Sequence, residues 1–277
     1  MPLFMKMGKH IGISALAAVL LLEGCSIKED RMVCPCFLTE EFSDVSPDKE
    51  GEVPWISILE ESGKTVQQKS IYSNMFREGR RYVASVPKQY LNVAVIYGMQ
   101  HYTVEGEVAT LSSGFEADSV YAHTSEVDCR GETAGDTVRL HKQWCGLVMV
   151  LKGSESWKPF FFEIHGNWNS VSLRDMSPVK GPLLCIPGKT GNGRYEVRLP
   201  RQGDNSLSLQ VYDTDAFGLP STLKYDYPLG ELMESRGYDW KRKDLDDAVI
   251  TIDYAKAEVN VEIAPWDDGP LGSDITI

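Results

Sequence analysis

Short runs rich in β-branched and aromatic residues, cut apart by polar turns, leave this chain little choice but sheet. Residues 55–59 (WISIL), 82–86 (YVASV), 91–97 (LNVAVIY), 147–151 (LVMVL), 160–164 (FFFEI), 195–199 (YEVRL), 207–212 (LSLQVY), 249–254 (VITIDY) and 258–263 (EVNVEI) all read as strands. Several alternate apolar with polar residues, the period that puts one face of a strand on a core and the other in water. Glu61-Ser62-Gly63, Lys152-Gly153-Ser154, Lys189-Thr190-Gly191-Asn192-Gly193 and Gln202-Gly203-Asp204-Asn205 supply the turns between them. Helical periodicity is nearly confined to residues 229–236 (LGELMESR), where Leu229, Leu232 and Met233 share a face and Gly237 follows as a stop.

Many short strands with almost no helix imply an all-β chain of antiparallel sandwiches. A polar stretch at residues 129–136 ends one set of strands before Leu147 begins the next, placing a boundary at 138/139. The expected organisation is a leader at residues 1–24, a β-sandwich at 25–138 and a second at 139–277, lengths normal for such domains. No sequence repeat relates the two halves.

The leader itself carries an address. Lys6, Lys9 and His10 precede an apolar run over residues 11–22, and Gly24 stands just before Cys25. The run falls short of the roughly 20 apolar residues of a spanning helix and reads as a cleaved export signal. A leucine three residues before the cysteine and a glycine one before it match a bacterial lipobox, from which Glu23 departs. Cys25 is therefore the expected lipidation site, with acyl chains such as palmitate holding the mature protein to a membrane. Ser26-Ile27-Lys28-Glu29-Asp30, a lysine followed by two acids, is similar to the surface-export signal of some Gram-negative lipoproteins.

The formal charge of -12, from 28 Lys+Arg against 40 Asp+Glu, repels phosphates and anionic lipid, so nucleic acid is not an expected partner. Lys241-Arg242-Lys243 is answered at once by Asp244, Asp246 and Asp247 and reads as a solvated turn. In an exported protein the cysteines beyond Cys25 favour disulfides, drawn from Cys34, Cys36, Cys129 and Cys145 with the pairing open, and Cys185 as a fifth thiol. Cys34-Pro35-Cys36 is too small for a zinc site and has the wrong spacing for the common redox motif. Alternation along a strand would put both sulfurs on one face, each able to bridge to a different element, with Cys129 and Cys145 as the expected partners within the same half of the chain. No HExxH, GxSxG, P-loop or Gly-rich nucleotide fingerprint occurs, so no catalytic, cofactor-binding or metal residue is assigned and an enzyme is not expected.

Taken in order, the lipobox, Cys34 and Cys36, residues 82–97 (YVASVPKQYLNVAVIY), residues 140–151 (LHKQWCGLVMVL), the short helix, Tyr238-Asp239-Trp240, the two last strands and Trp266 resemble the fimbrillin-associated anchor family. These are minor lipoprotein subunits at the base of type V pili in Gram-negative anaerobes. The resemblance implies two transthyretin-like sandwiches, an outer-membrane location, pilin or other fimbrial subunits as partners, and a role in attaching a pilus and ending its growth. Subunits of such polymers are thought to join by strand exchange, whose physics is β-augmentation. Residues 267–277 (DDGPLGSDITI) are one segment that could serve in that exchange, and the N-terminal strand at 37–42, tethered near the membrane through Cys25, is the alternative. The competing expectation is a surface lipoprotein that binds carbohydrate by stacking sugars on Trp144, Trp157, Trp168, Trp240 and Trp266.

Overall fold

Alternation along the chain is realised as pairs of facing sheets. The computed structural model describes residues 34–45, 52–152, 160–253 and 258–265. The first half holds β1 (Cys36–Glu41), β2 (Trp55–Glu60), β3 (Thr65–Ser70), β4 (Arg81–Val86), β5 (Tyr90–Tyr97), β6 (Tyr102–Glu105), β7 (Val108–Leu111), β8 (Tyr121–Asp128) and β9 (Thr133–Thr137), and β10 (His141–Lys142), past residue 138, pairs back onto β8. The second half holds β11 (Trp144–Lys152), β12 (Phe160–Gly166), β13 (Ser170–Ser172), β14 (Pro178–Val179), β15 (Leu183–Cys185), β16 (Gly188–Gly191), β17 (Arg194–Pro200), β18 (Ser208–Thr214) and β19 (Pro220–Tyr227). Helix α1 (Leu229–Ser235), β20 (Asp247–Asp253) and β21 (Glu258–Ala264) complete it.

In the first half, a three-stranded sheet of order β4-β1-β9 faces a five-stranded sheet of order β10-β8-β5-β2-β3. Cys36 and Leu38 of β1, Tyr82, Ala84 and Val86 of β4, Ile56 and Ile58 of β2, and Val93 and Val95 of β5 interdigitate between them. In the second half, β16-β17-β11-β20-β21 faces β15-β12-β18-β19. Leu147, Met149, Phe162, Ile164, Val197, Leu209 and Ile250 fill that core, with Leu229 and Met233 of α1 against it. Among the described residues strand pairing is antiparallel except at two places, where β9 closes parallel on β1 and β20 closes parallel on β11.

A smaller sheet, β14-β13-β7-β6, draws strands from both halves: β7 pairs with β13 through Thr110 and Ser170. Beneath it the outer face of the first-half sheet, with Leu59, Ala94, Ile96 and Ala122, meets Ala109, Val171, Leu173 and Met176. Burial on both faces explains why β5 reads as a nearly continuous apolar run instead of a clean alternation. From Cys36 onward the chain forms one unit by its contacts.

The helix ends as its sequence demands. Gly237 adopts φ +91 and donates to Glu234 O at 2.9 Å, and Tyr238 N donates to Met233 O at 3.1 Å. This pair of bonds is a Schellman cap, with Tyr238 packed in the same core as Met233. Among the described residues no helix is long and apolar enough to cross a membrane.

Candidate functional site

A cleft of about 1010 Å3 is walled by His123 and Asp136 of β8 and β9 and by Arg201, Gln202, Trp240 and Lys241. The Schellman turn delivers the chain from α1 into this wall, and Arg201 then holds it there. Arg201 Nη1 donates to Trp240 O at 2.5 Å and Arg242 O at 2.7 Å, Nη2 donates to Lys243 O at 3.1 Å, and Nε donates to Gln143 Oε1 at 3.0 Å. The planar fork of a guanidinium suits this convergence of carbonyls. Burial lowers the Arg201 pKa from its ordinary value. Lys241, Arg242 and Lys243 remain exposed while Asp246 and Asp247 turn inward, so the basic triplet is a surface turn with a structured underside.

Beneath the cleft lies an ion pair with no exposure to speak of. Lys142 is 0% exposed, and its Nζ donates to Asp247 Oδ1 at 2.5 Å and to Leu245 O at 3.1 Å. Asp247 Oδ1 also accepts from Gly146 N at 2.6 Å, and the ammonium lies 4.3 Å from the Trp144 ring centroid. Lys142 N and His141 Nδ1 meet Asp244 at 2.7 and 2.9 Å. The strand that connects the halves is thereby tied at both charge and backbone to the start of β20.

The first-half core holds the opposite case. Glu40 points inward from β1 at 0% exposure, and neither carboxylate oxygen has a hydrogen-bond partner among the described residues. Burial, with Asp136 alongside, pushes its carboxyl pKa up to about 8. Asp136 receives His123 Nε2 at 2.8 Å on one oxygen and Thr137 N at 2.7 Å on the other. Nothing in the chain spacing of residues 40, 123 and 136 signals this meeting, although an acid in the apolar series Cys36, Leu38, Phe42 is an anomaly visible in the sequence.

Of the residues expected to matter, Cys25 lies outside the described residues. The other cysteines are free thiols: Cys34 is exposed, and Cys36, Cys129, Cys145 and Cys185 are buried. Because β1 begins at Cys36, strand alternation does not reach back to Cys34. Cys36 and Cys129 meet in the first core, where burial and then the neighbouring Cys36 thiol push Cys129 up to about 12. Cys145 belongs to the second core and is pushed up to about 12 by burial, in the company of Tyr238. A closed thiol of that kind is not a nucleophile.

The expected sugar-stacking residues Trp157 and Trp266 also lie outside the described residues, as does the tail at 267–277. Trp240 is buried, and Trp144 and Trp168 are half-buried, so the described tryptophans present no exposed platform. Exposed apolar groups gather elsewhere, on the edge hairpin: Phe217 is 90% exposed, Leu219 60% and Leu223 47%. There β19 forms the outer strand of its sheet, paired on one side only with β18.

Two facing sheet pairs and two parallel closures among the described residues define an all-β sandwich protein, and solved structures of fimbrial and adhesin proteins share its fold. The fimbrial anchor protein Mfa2 from Porphyromonas gingivalis superposes with a TM-score of 0.60 at 11% identity, covering 84% of this chain and 98% of that one. A candidate polysaccharide-binding protein (DUF1812) from Bacteroides thetaiotaomicron gives 0.59 at 11% identity, with 83% and 96% covered. A candidate adhesin from Bacteroides ovatus gives 0.56 at 15% identity, with 83% and 93% covered. No family model matches the sequence, and no curated protein matches it.

Proposed function

We propose that this chain is a non-enzymatic anchor or minor subunit of a fimbria, held in the outer membrane of a Gram-negative bacterium by acyl chains on Cys25. It couples that lipid to other fimbrial subunits through β-strand contact and so limits polymer length. The observation that carries the proposal is the shared fold with a fimbrial anchor over 98% of that protein's length, joined to a lipobox that supplies the membrane end. The halves at 25–138 and 139–277 act as two sandwiches between lipid and polymer. The β19 edge, with Leu219 and Leu223 exposed beside Phe217, is the surface we assign to an extended segment of a neighbouring subunit.

Deleting the gene should release fimbriae of altered length into the medium, and fimbriae that stay attached at normal length would sink the anchor role. Cys25→Ser should abolish palmitate labelling and move the protein out of the membrane fraction. Phe217→Asp with Leu223→Lys should prevent co-purification with fimbrial subunits at an unchanged melting temperature. Carbohydrate binding draws support only from the description of the B. thetaiotaomicron neighbour. A glycan array bound by the wild-type chain, with fimbriae unaffected by the deletion, would favour it.

We infer that Cys36 and Cys129, neighbouring thiols of the first core, form a disulfide in an oxidising compartment. Each thiol gives up its proton and the two electrons pass to the disulfide of a thiol oxidoreductase, which becomes a dithiol.

A further inference from the structure

We propose that Glu40, His123 and Asp136 form a binding site for one divalent transition-metal ion, with zinc as the best-matched ion. Their ligand atoms all lie within 4.8 Å of one another. They come from three strands in two facing sheets: Glu40 on β1, Asp136 opposite it on the parallel neighbour β9, and His123 on β8 across the sandwich. An ion there would staple the sheets together at the end of the first core.

Glu40 makes the site more than a cluster of acids. Its inward register on β1 is shared with Cys36 and Leu38, positions that serve the core. A fully buried carboxylate with both oxygens unpartnered is costly, since burial removes its water and nothing in the described chain replaces it. Its oxygens nonetheless lie among the donor atoms of His123 and Asp136, where an ion would sit. Once an ion displaces the Glu40 proton, two carboxylates and a neutral imidazole carry a charge of about -2, which one divalent ion cancels.

The donor set narrows the choice of ion. Calcium and magnesium take oxygen donors, and a histidine nitrogen favours zinc and its neighbours in the transition series. Three protein donors leave a fourth tetrahedral position for water. His123 and Asp136 form part of the wall of the 1010 Å3 cleft, which gives an ion a route in and water a place to stand. Binding would replace the 2.8 Å contact between His123 Nε2 and Asp136 Oδ2 by two bonds to the metal.

The test uses the untagged mature chain, stripped with a chelator and dialysed against buffered zinc chloride. Elemental analysis should find one zinc per chain, and zinc should raise the melting temperature of the wild type. His123→Ala and Glu40→Gln should weaken binding at least about 100-fold, since loss of outer partners alone costs about 10–100-fold. His165→Ala, which removes a surface histidine paired with Glu163, should bind zinc like the wild type. Glu40→Gln keeps the shape and removes the charge, so its circular dichroism should match the wild type and its melting temperature should ignore zinc. A wild-type chain that takes up no stoichiometric zinc, or a folded Glu40→Gln that binds as tightly as wild type, would overturn the proposal.

Discussion

Glu40 of the first core and Asp247 at the second are both buried carboxylates, and the two are treated in opposite ways. Asp247 of the second core is met by the Lys142 ammonium and the Gly146 amide, so the chain supplies its own counter-charge. Glu40 of the first core has neither oxygen satisfied among the described residues. A buried charge is tolerated when geometry returns what desolvation removes. The second core therefore reads as closed, and the first as completed by something the chain does not encode.

Breaking the closed side should give the largest effect. Lys142→Met leaves Asp247 buried without its partner and should cost about 3–5 kcal/mol in urea unfolding, with much of it recovered when Asp247→Leu is added. On the first core, air-oxidised protein should carry a Cys36–Cys129 crosslink visible by mass spectrometry. Its reduction, or Cys129→Ser, should lower stability by about 2–4 kcal/mol because the bridge closes a long loop. Full stability without that crosslink would show that the two thiols pack as apolar neighbours only.

A smaller effect of reversed sign tests the unpartnered carboxylate. Glu40→Met fits an apolar register and should stabilise the chelator-treated protein by about 1–3 kcal/mol, whereas Asp247→Met in the second core should destabilise it. The smallest change belongs to the cleft wall. Arg201→Lys keeps the charge but loses the fork that holds the carbonyls of Trp240, Arg242 and Lys243, and should cost about 1–2 kcal/mol, with faster hydrogen exchange over residues 238–243.

Every strand expected from β-branched or aromatic runs is present, most of them longer by one or two residues, and α1 stops where Gly237 says it must. Polar strands were not legible. β8 (YAHTSEVD) sits next to the centre of its sheet with only part of its face apolar, and β3 (TVQQKS) and β19 (PSTLKYDY) are edges whose exposed side accepts any polar residue. The same limit applies to the candidate site. Glu40 stands out as an acid in an inward apolar series, but His123 and Asp136 look like ordinary strand residues until the sheets face each other. The separation of Cys145 from Cys129 into different cores was equally hidden, since spacing along a chain says little about which sulfurs meet.

What the sequence by itself determined is local: where strands run, where turns fall and where the helix ends. Each follows from steric and burial preferences acting over a few residues, which a period of two or a single glycine expresses directly. Only the tertiary structure decided that β9 and β20 close parallel on β1 and β11, that Lys142 finds Asp247, and that Glu40 meets His123 and Asp136 without a partner of its own. Those outcomes depend on which faces are buried against which, a property of long-range packing that no short window of sequence contains.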